Sequence, residues 1–282
     1  MKQILLLTDF SENSKNAIYY ALQLFKDQEC SFHLLNTHKP VTSTTSDLIL
    51  SGNKSVYNSL VENAHKELDK LAETLELKFK NKKHAFKTSV DFDTLTDAVN
   101  QMVLSKKIDL IVMGSNGATG AREVLFGSNT LRVIRHVKCT TLVIPEGFMY
   151  KKPENILLPL DLNDSLSNPT LIDLYNFIKK HQSNLHVLRI TPDNNPLKNN
   201  EDLECLKSIL KNTTHSYNKV NNVPFHFVVD SYLQFNNIDL MALLVQDESV
   251  LELLFIGDTT KKISYALRKP LFIYHNSNIK TA

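Results

Sequence analysis

The sequence predicts an α/β protein built as two tandem open, mainly parallel five-stranded sheets with flanking helices. Three observations carry that prediction. Short apolar runs alternate with helix-like stretches along the 282 residues, which is the pattern of βαβ units. Runs such as ILLL, DLIVM and LLFI are apolar almost throughout, as strands covered on both faces are. The order of elements also occurs twice, so the chain is read as a repeat.

The first half opens with QILLLTDFSENS, Gln3 to Ser14, an apolar run that stops at Asp9. The amphipathic stretch KNAIYYALQLF and the strand-like FHLLNTH follow. A polar loop leads to a long helix near residues 54–79. The segment SVDFDTLTDAVNQMVLSKKIDLIVMG, Ser89 to Gly114, reads as a strand ending at Asp91, a crossover helix and a fourth strand. TTLVIP, Thr140 to Pro145, closes the half.

The second half repeats the opening as NILLPLDLNDSL, with Asp161 standing 152 positions after Asp9. LIDLYNFI and LHVLRIT supply its first helix and second strand, and a helix is expected near 201–215. VVDSYLQFNNIDLMALLVQDESVLELLFIG, Val228 to Gly257, reads as a strand ending at Asp230, a crossover helix and a fourth strand LLFIG. PLFIY, Pro270 to Tyr274, closes this half. The stretch Glu146 to Asn155 holds Gly147 and Pro153 and fits no period, so the expected domains are 1–147 and 152–282.

Composition narrows the function classes. With 42% hydrophobic and 22% charged residues the chain is of soluble globular type. Its 32 basic and 30 acidic residues leave a net charge of +2 without a single-sign block, which argues against nucleic acid or a membrane surface as partner. Lys54, Lys66 and Lys70 fit a solvated helix face. After Met1 only four apolar residues precede Thr8 and Asp9, too few for a signal-peptide core. Cys30, Cys139 and Cys205 are dispersed and form no CxxC, so no disulfide framework or metal site is expected and a reducing cytoplasm is the expected compartment.

Four of the seven glycines, Gly114, Gly117, Gly120 and Gly127, fall between the fourth strand and a helix opened by Ser128 and Asn129. Glycine tolerates φ > 0 and lets another group approach the backbone. A helix start at the carboxyl ends of parallel strands favours a phosphate. The spacing is neither a Walker loop nor GxGxxG. Gly114-x2-Gly117-x9-Gly127-Ser128 resembles the ATP-binding G-x2-G-x9-G-[ST] signature of the universal stress protein family, and ILLLTDFSENSKNAI and CTTLVIP resemble that family's opening and closing strands.

The resemblance implies a Rossmann-like fold of the adenine nucleotide alpha hydrolase type and ATP, with or without Mg²⁺, as ligand. It implies that Thr8 and Asp9 face the nucleotide, that backbone near Asn36 and Thr37 meets adenine, and that the stretch Met113 to Gly117, with Gly114, lines ribose and phosphates. Gly127, Ser128 and Asn129 would bind the phosphate tail, with Arg122 and Arg132 close by. For Asp9 the local alternative is a helix-start carboxylate, and for Ser128 an N-cap.

The second half keeps Asp161 but has no such glycine loop. Counted from Gly257 to Pro270, the loop is expected to be thirteen residues shorter, so nucleotide binding is expected in the first half only. No HExxH, metal-spaced histidine pair or GxSxG occurs, and His136 and His186 read as packed or surface residues. The leading expectation is an ATP-binding regulatory protein of stress physiology, acting on an unknown protein partner. The alternatives are a slow ATP hydrolase and a nucleotide-free scaffold. The closing strands TTLVIP and PLFIY are expected to pair as an intramolecular pseudo-dimer, with Leu142 and Ile144 opposite Leu271, Ile273 or their neighbours, and further homo-oligomerisation is left open.

Overall fold

A computed structural model describes residues 1–38, 54–115, 126–192, 196–211, 213–245 and 268–275. Two compact units result: Met1–Gly120 with Gly127–Cys139, and Ala121–Phe126 with Thr140–Ala282. Gly117, Gly120, Arg122, Gly257 and the expected strand LLFIG lie outside the described residues.

In the first unit the strands are β1 (Lys2–Leu7), β2 (Cys30–Thr37), β3 (His84–Asp91) and β4 (Leu110–Gly114). They stand in the order β3-β2-β1-β4, with every pair parallel. The central strands are buried along their length because Ile4, Leu5 and Leu6 of β1 and Ile111 and Val112 of β4 have apolar cover on both faces. Helix α1 (Glu12–Leu24) lies against β4, and α2 (Lys54–Phe79) lies against β2 and β3. Helix α3 (Leu95–Lys106) packs on β1 and on α4 (Ser128–His136).

Two helix starts are closed by a side chain. Ser11 caps α1 by accepting from the Ser14 N–H at 3.2 Å, and Thr94 caps α3 through the Asp97 N–H. The chain runs from β1 outward to β3 and returns to β4 on the other side. β1 therefore sits at the point where strand order reverses, the place where open α/β sheets hold ligands.

The second unit orders its strands β5-β10-β9-β6-β7-β8. These are β5 (Thr141–Ile144), β6 (Asn155–Leu160), β7 (Asn184–Thr191), β8 (His215–Asn221), β9 (Leu240–Val245) and β10 (Leu271–His275). Its helices are α5 (Ile172–His181), α6 (Pro196–Ile209) and α7 (Phe225–Phe235). All described pairs are parallel except β5 with β10, where Val143 stands opposite Leu271, Leu142 opposite Phe272 and Thr141 opposite Ile273. The α/β class with a mainly parallel sheet is thus the fold observed, and each half of the sequence supplies five strands.

The repeat extends to hydrogen bonds. The Asp109 N–H donates to the Gln3 carbonyl at 2.9 Å and its carboxylate accepts from the Gln3 N–H at 2.7 Å. In the second unit the Asp239 N–H donates to the Asn155 carbonyl at 2.9 Å, and its carboxylate accepts from the Asn155 N–H at 3.0 Å.

Three expectations for the second half fail. Asp230 lies inside α7, and the third strand is His215–Asn221. The stretch VVD has β-prone residues, but its apolar spacing continues a helix that begins at Phe225. The helix expected near 201–215 ends at Ile209, and His215 already opens β8. The fourth strand is LMALLV, so it precedes the LLFIG run.

With β9 at Leu240 the thirteen-residue deletion disappears. β4 and β5 begin 31 positions apart, as do β9 and β10. The shortening lies earlier: 46 residues separate β2 from β3, against 23 between β7 and β8. In sequence Gly257 then falls at the place of Gly127, 130 positions on, while Leu244 and Val245 stand where Gly114 and Ser115 stand.

Candidate functional site

At the carboxyl end of β1 the chain makes a tight turn built from its own side chains. The buried Thr8 hydroxyl accepts from the Phe10 N–H at 3.0 Å and lies 3.1 Å from the Ser14 hydroxyl. Asp9 is exposed, and its Oδ1 accepts from the Ser11 hydroxyl at 2.6 Å and the Ser11 N–H at 3.1 Å. Phe10 is left with φ of 61°, a left-handed conformation that is uncommon for an aromatic residue. Partial burial pushes the Asp9 carboxyl up, but its hydrogen bonds from Ser11 and Ser14 outweigh this and hold it below the usual carboxylate range. Asp9 therefore serves the local turn expected of a helix-start carboxylate while standing at the strand end.

Beside it, Asn36 at the end of β2 is 4% exposed and donates from Nδ2 to the Thr8 carbonyl at 2.8 Å. The rungs between β1 and β2 stop as the Thr8 N–H reaches the Leu35 carbonyl, so Thr37 lies beyond the last one. On the other side of β1, Met113 is buried in β4, and Gly114 ends the strand. A Cβ on Gly114 would stand 2.7 Å from Asn13 Nδ2, so this glycine answers a need for space. Neither Gly114 nor Gly127 has a positive φ; Gly127 sits at −60°. The expectation that these two glycines permit left-handed backbone is not met.

The start of α4 is tied to the end of β4 by three hydrogen bonds. The Gly127 N–H donates to the Ser115 carbonyl at 2.8 Å, and the Thr130 hydroxyl reaches the carbonyls of Ser115 at 2.9 Å and Gly114 at 3.1 Å. Gly127 is the N-cap residue and brings no side-chain cap, and Ser128 and Asn129 are exposed in the first turn. Ser128 is thus inside the helix and is not its N-cap. Arg132 is exposed on the same helix.

Two buried polar atoms in this region have no hydrogen-bond partner among the described residues: Asn36 Oδ1 and Ser115 Oγ. They flank the end of β1 on its two neighbours. A buried polar group without a partner costs on the order of 1–3 kcal/mol, and such groups mark places where a further partner belongs. Thr130, Asn13 and Ser14 escape sequence reading, and Ser115 enters it only inside the stretch Met113 to Gly117. Only the position of Ser115 directly after a strand-ending glycine could have drawn attention.

The corresponding end of the second unit has different chemistry. Asp161 Oδ1 accepts from the Asn163 and Asp164 N–H groups at 2.7 and 3.1 Å. Thr8, Thr37 and Ser115 are matched by Leu160, Ile190 and Val245, all buried. Asn36 is matched by Arg189, which is fully buried and pairs with both Asp202 oxygens at 2.7 Å. The same guanidinium donates to the carbonyls of Asp161 and Asp164.

Among the described residues no group of three His, Cys, Asp or Glu side chains is placed to hold a metal ion, and no helix is long and apolar enough to cross a membrane. His136 is exposed, and His186 packs between Tyr232 and Asn155.

Among known proteins, the model of the universal stress protein family matches residues 1–145. A universal stress protein of Methanocaldococcus jannaschii is 27% identical over 157 residues, covering 54% of this chain and 84% of the relative. Universal stress protein YxiE of Bacillus subtilis is 26% identical over 148 residues, covering 50% of this chain and 97% of its own. Of solved structures, a universal stress protein from Archaeoglobus fulgidus superposes with a TM-score of 0.63 over 98% of this chain and 97% of that one. At 16% identity it shows the fold alone. The cytoplasmic domain of a prokaryotic cation chloride cotransporter shares the fold at a TM-score of 0.57 and 10% identity, over 96% of this chain and 94% of its own. With its strand-end turn, its glycine-started α4 and a family match over more than half its length, the chain belongs to the universal stress protein family.

Proposed function

We propose that this chain is an ATP-binding regulatory protein of the stress response that holds one nucleotide, in its first half. The observation that carries the reading is the pair of orphaned buried atoms, Asn36 Oδ1 and Ser115 Oγ, on either side of the β1 end, next to a helix start without a side-chain cap. A hydroxyl or amine of a nucleoside supplies what both atoms lack. The first N–H groups of α4 and its positive dipole end suit phosphate oxygens, and the exposed Ser128 and Asn129 add polar contacts. Thr37 offers backbone beyond the last β1–β2 rung to a base.

In the second unit Thr8 and Ser115 are matched by Leu160 and Val245, which give a nucleotide nothing to hydrogen-bond, and Asn36 by Arg189, whose guanidinium is taken up by Asp202 and two carbonyls. Nucleotide occupancy would then bias binding of a protein partner. Among the described residues around the β1 end, the side chains of Thr8, Asp9 and Ser14 are already engaged with one another or with backbone, so activation of water is not favoured and turnover should be slow.

Titration calorimetry with ATP, ADP and AMP, with and without Mg²⁺, tests this. One site per chain that is weakened by Ser115→Ala and by Ser128→Glu supports the reading. Two equivalent sites, or none at millimolar ATP, overturns it.

A further inference from the structure

The second unit has an open cleft of about 590 Å³ at the carboxyl ends of β6, β7 and β8, a volume in the range of small-molecule sites. Its wall is mainly apolar, with Leu162, Ile190, Val223 and Phe225, and Asn163, Thr191 and Asn222 line it beside Asp161, its one charged residue among those described. None of the described side chains lining it is basic, so none of them neutralises a phosphate.

The position-by-position comparison sharpens the chemistry. Across the repeat three polar positions have become apolar, Thr8 to Leu160, Thr37 to Ile190 and Ser115 to Val245, while Asp9 is retained as Asp161. The retained carboxylate is oriented by two backbone N–H groups on Oδ1, and no lysine or arginine side chain among the described residues forms an ion pair with it. The nearest guanidinium, Arg189, is spent on Asp202 and on two carbonyls. Lys219, its strand partner on β8, does not line the cleft. The strut from Arg189 to the Asp161–Asp164 turn holds the cleft floor in place.

We infer that this cleft binds a small organic cation, an ammonium group on an apolar or aromatic body, with Asp161 as its counter-charge and Ile190, Val223 and Phe225 as its apolar wall. A site of this kind would let the protein answer an amine in one half and a nucleotide in the other.

The test uses the full chain and follows the Ile190 and Val223 methyl resonances during titration with 2-phenylethylammonium, its carboxylate counterpart 3-phenylpropanoate and the neutral 2-phenylethanol. The ammonium should shift both methyls saturably and bind about tenfold or more tightly than the alcohol, as expected for a charge-assisted hydrogen bond, with the carboxylate weakest. Asp161→Asn should reduce the ammonium to the level of the alcohol. Val223→Arg, at a position 41% exposed, should abolish binding with thermal unfolding unchanged, which covers the case in which Asp161→Asn fails to fold. The inference is overturned if no probe shifts these methyls, if the carboxylate binds as well as the ammonium, or if ATP occupies this cleft. ATP binding with the Ile190 and Val223 methyls unmoved supports the inference and leaves the reading of the first half to be judged by its own variants.

Discussion

The Asn13 side chain packs against Gly114 so closely that a Cβ on the glycine would stand 2.7 Å from Nδ2 and 2.9 Å from Cγ. Gly114 is thus fixed by packing between α1 and β4, whatever the ligand. Gly114→Ala should destabilise the protein by about 1–3 kcal/mol, the ordinary cost of overpacking. Combined with Asn13→Ala the penalty should be smaller than the sum of the single changes, because the neighbour has gone. Urea unfolding of the four proteins measures this, and strict additivity would show that the contact is not the cause.

Thr130 joins the start of α4 to the end of β4 through the carbonyls of Ser115 and Gly114. Thr130→Val keeps the shape and removes the donor, so it should cost about 1–3 kcal/mol and weaken ATP binding by loosening the helix start. Thr130→Ser keeps the hydroxyl and should recover most of both. An effect on stability with nucleotide affinity untouched would separate α4 from the site.

The Arg189–Asp202 pair is buried on both sides, at 0% and 3% side-chain exposure. Removing one partner leaves an uncompensated buried charge, so Asp202→Asn or Arg189→Met should cost about 3–5 kcal/mol, while Arg189→Met with Asp202→Leu should regain much of the loss. Chemical denaturation decides this, and single and double variants of equal stability would contradict it. Tyr217 donates to the same carboxylate at 2.8 Å; burial and Asp202 both push its phenol up.

His33 and His84 are held below the ordinary imidazole value, in both cases by burial first, and for His33 also by the Lys87 and Lys106 cations. The unfolded chain then binds more protons than the folded one as pH drops below about 6.5. Stability should be fully present above about pH 7, where the unfolded imidazoles are neutral, and fall as pH drops from there through the depressed folded-state values. The Asp9 carboxyl, held low in the folded state, adds a further loss in the acid range below the ordinary aspartate value. Urea midpoints across this range check the slope, which His33→Gln should flatten; stability rising toward pH 5.5 would exclude the assignment.

Much of the fold was legible because covered parallel strands are written as apolar runs: β1, β2, β4, β6 and β7 all fall where such runs do. β8 was not, since HSYNKVN is a half-buried edge strand without an apolar run. With β8 missed, the reading passed over LMALLV and took the next run as the fourth strand. Gly114, Gly127 and Asp9 could be found from spacing. Ser115 and Thr130 could not, because their value lies in unfilled or doubled hydrogen bonds, which appear only once β4 and α4 meet. Arg189 sits in the run LHVLRIT, and nothing local announces that its charge is met by Asp202 thirteen residues on.

The β5–β10 ladder yields the last prediction. Thr141, Leu142 and Val143 pair antiparallel with Ile273, Phe272 and Leu271, and Leu142 and Ile273 are both fully buried. β5 belongs to the compact unit that the second half of the chain forms, although the sequence repeat assigns it to the first. A fragment of residues 1–147 therefore carries β5 without the strand that pairs with it. An unpaired apolar edge seeks another strand, and a second copy of TLVI in antiparallel orientation is the nearest chemical substitute for LFIY. The fragment should sediment as a dimer or larger species with concentration dependence. Val143→Pro, which removes a ladder N–H, should shift it toward monomer while circular dichroism of the remaining α/β unit is retained. A monodisperse monomer of the unaltered fragment at every concentration would show that β5 does not depend on β10 for its cover.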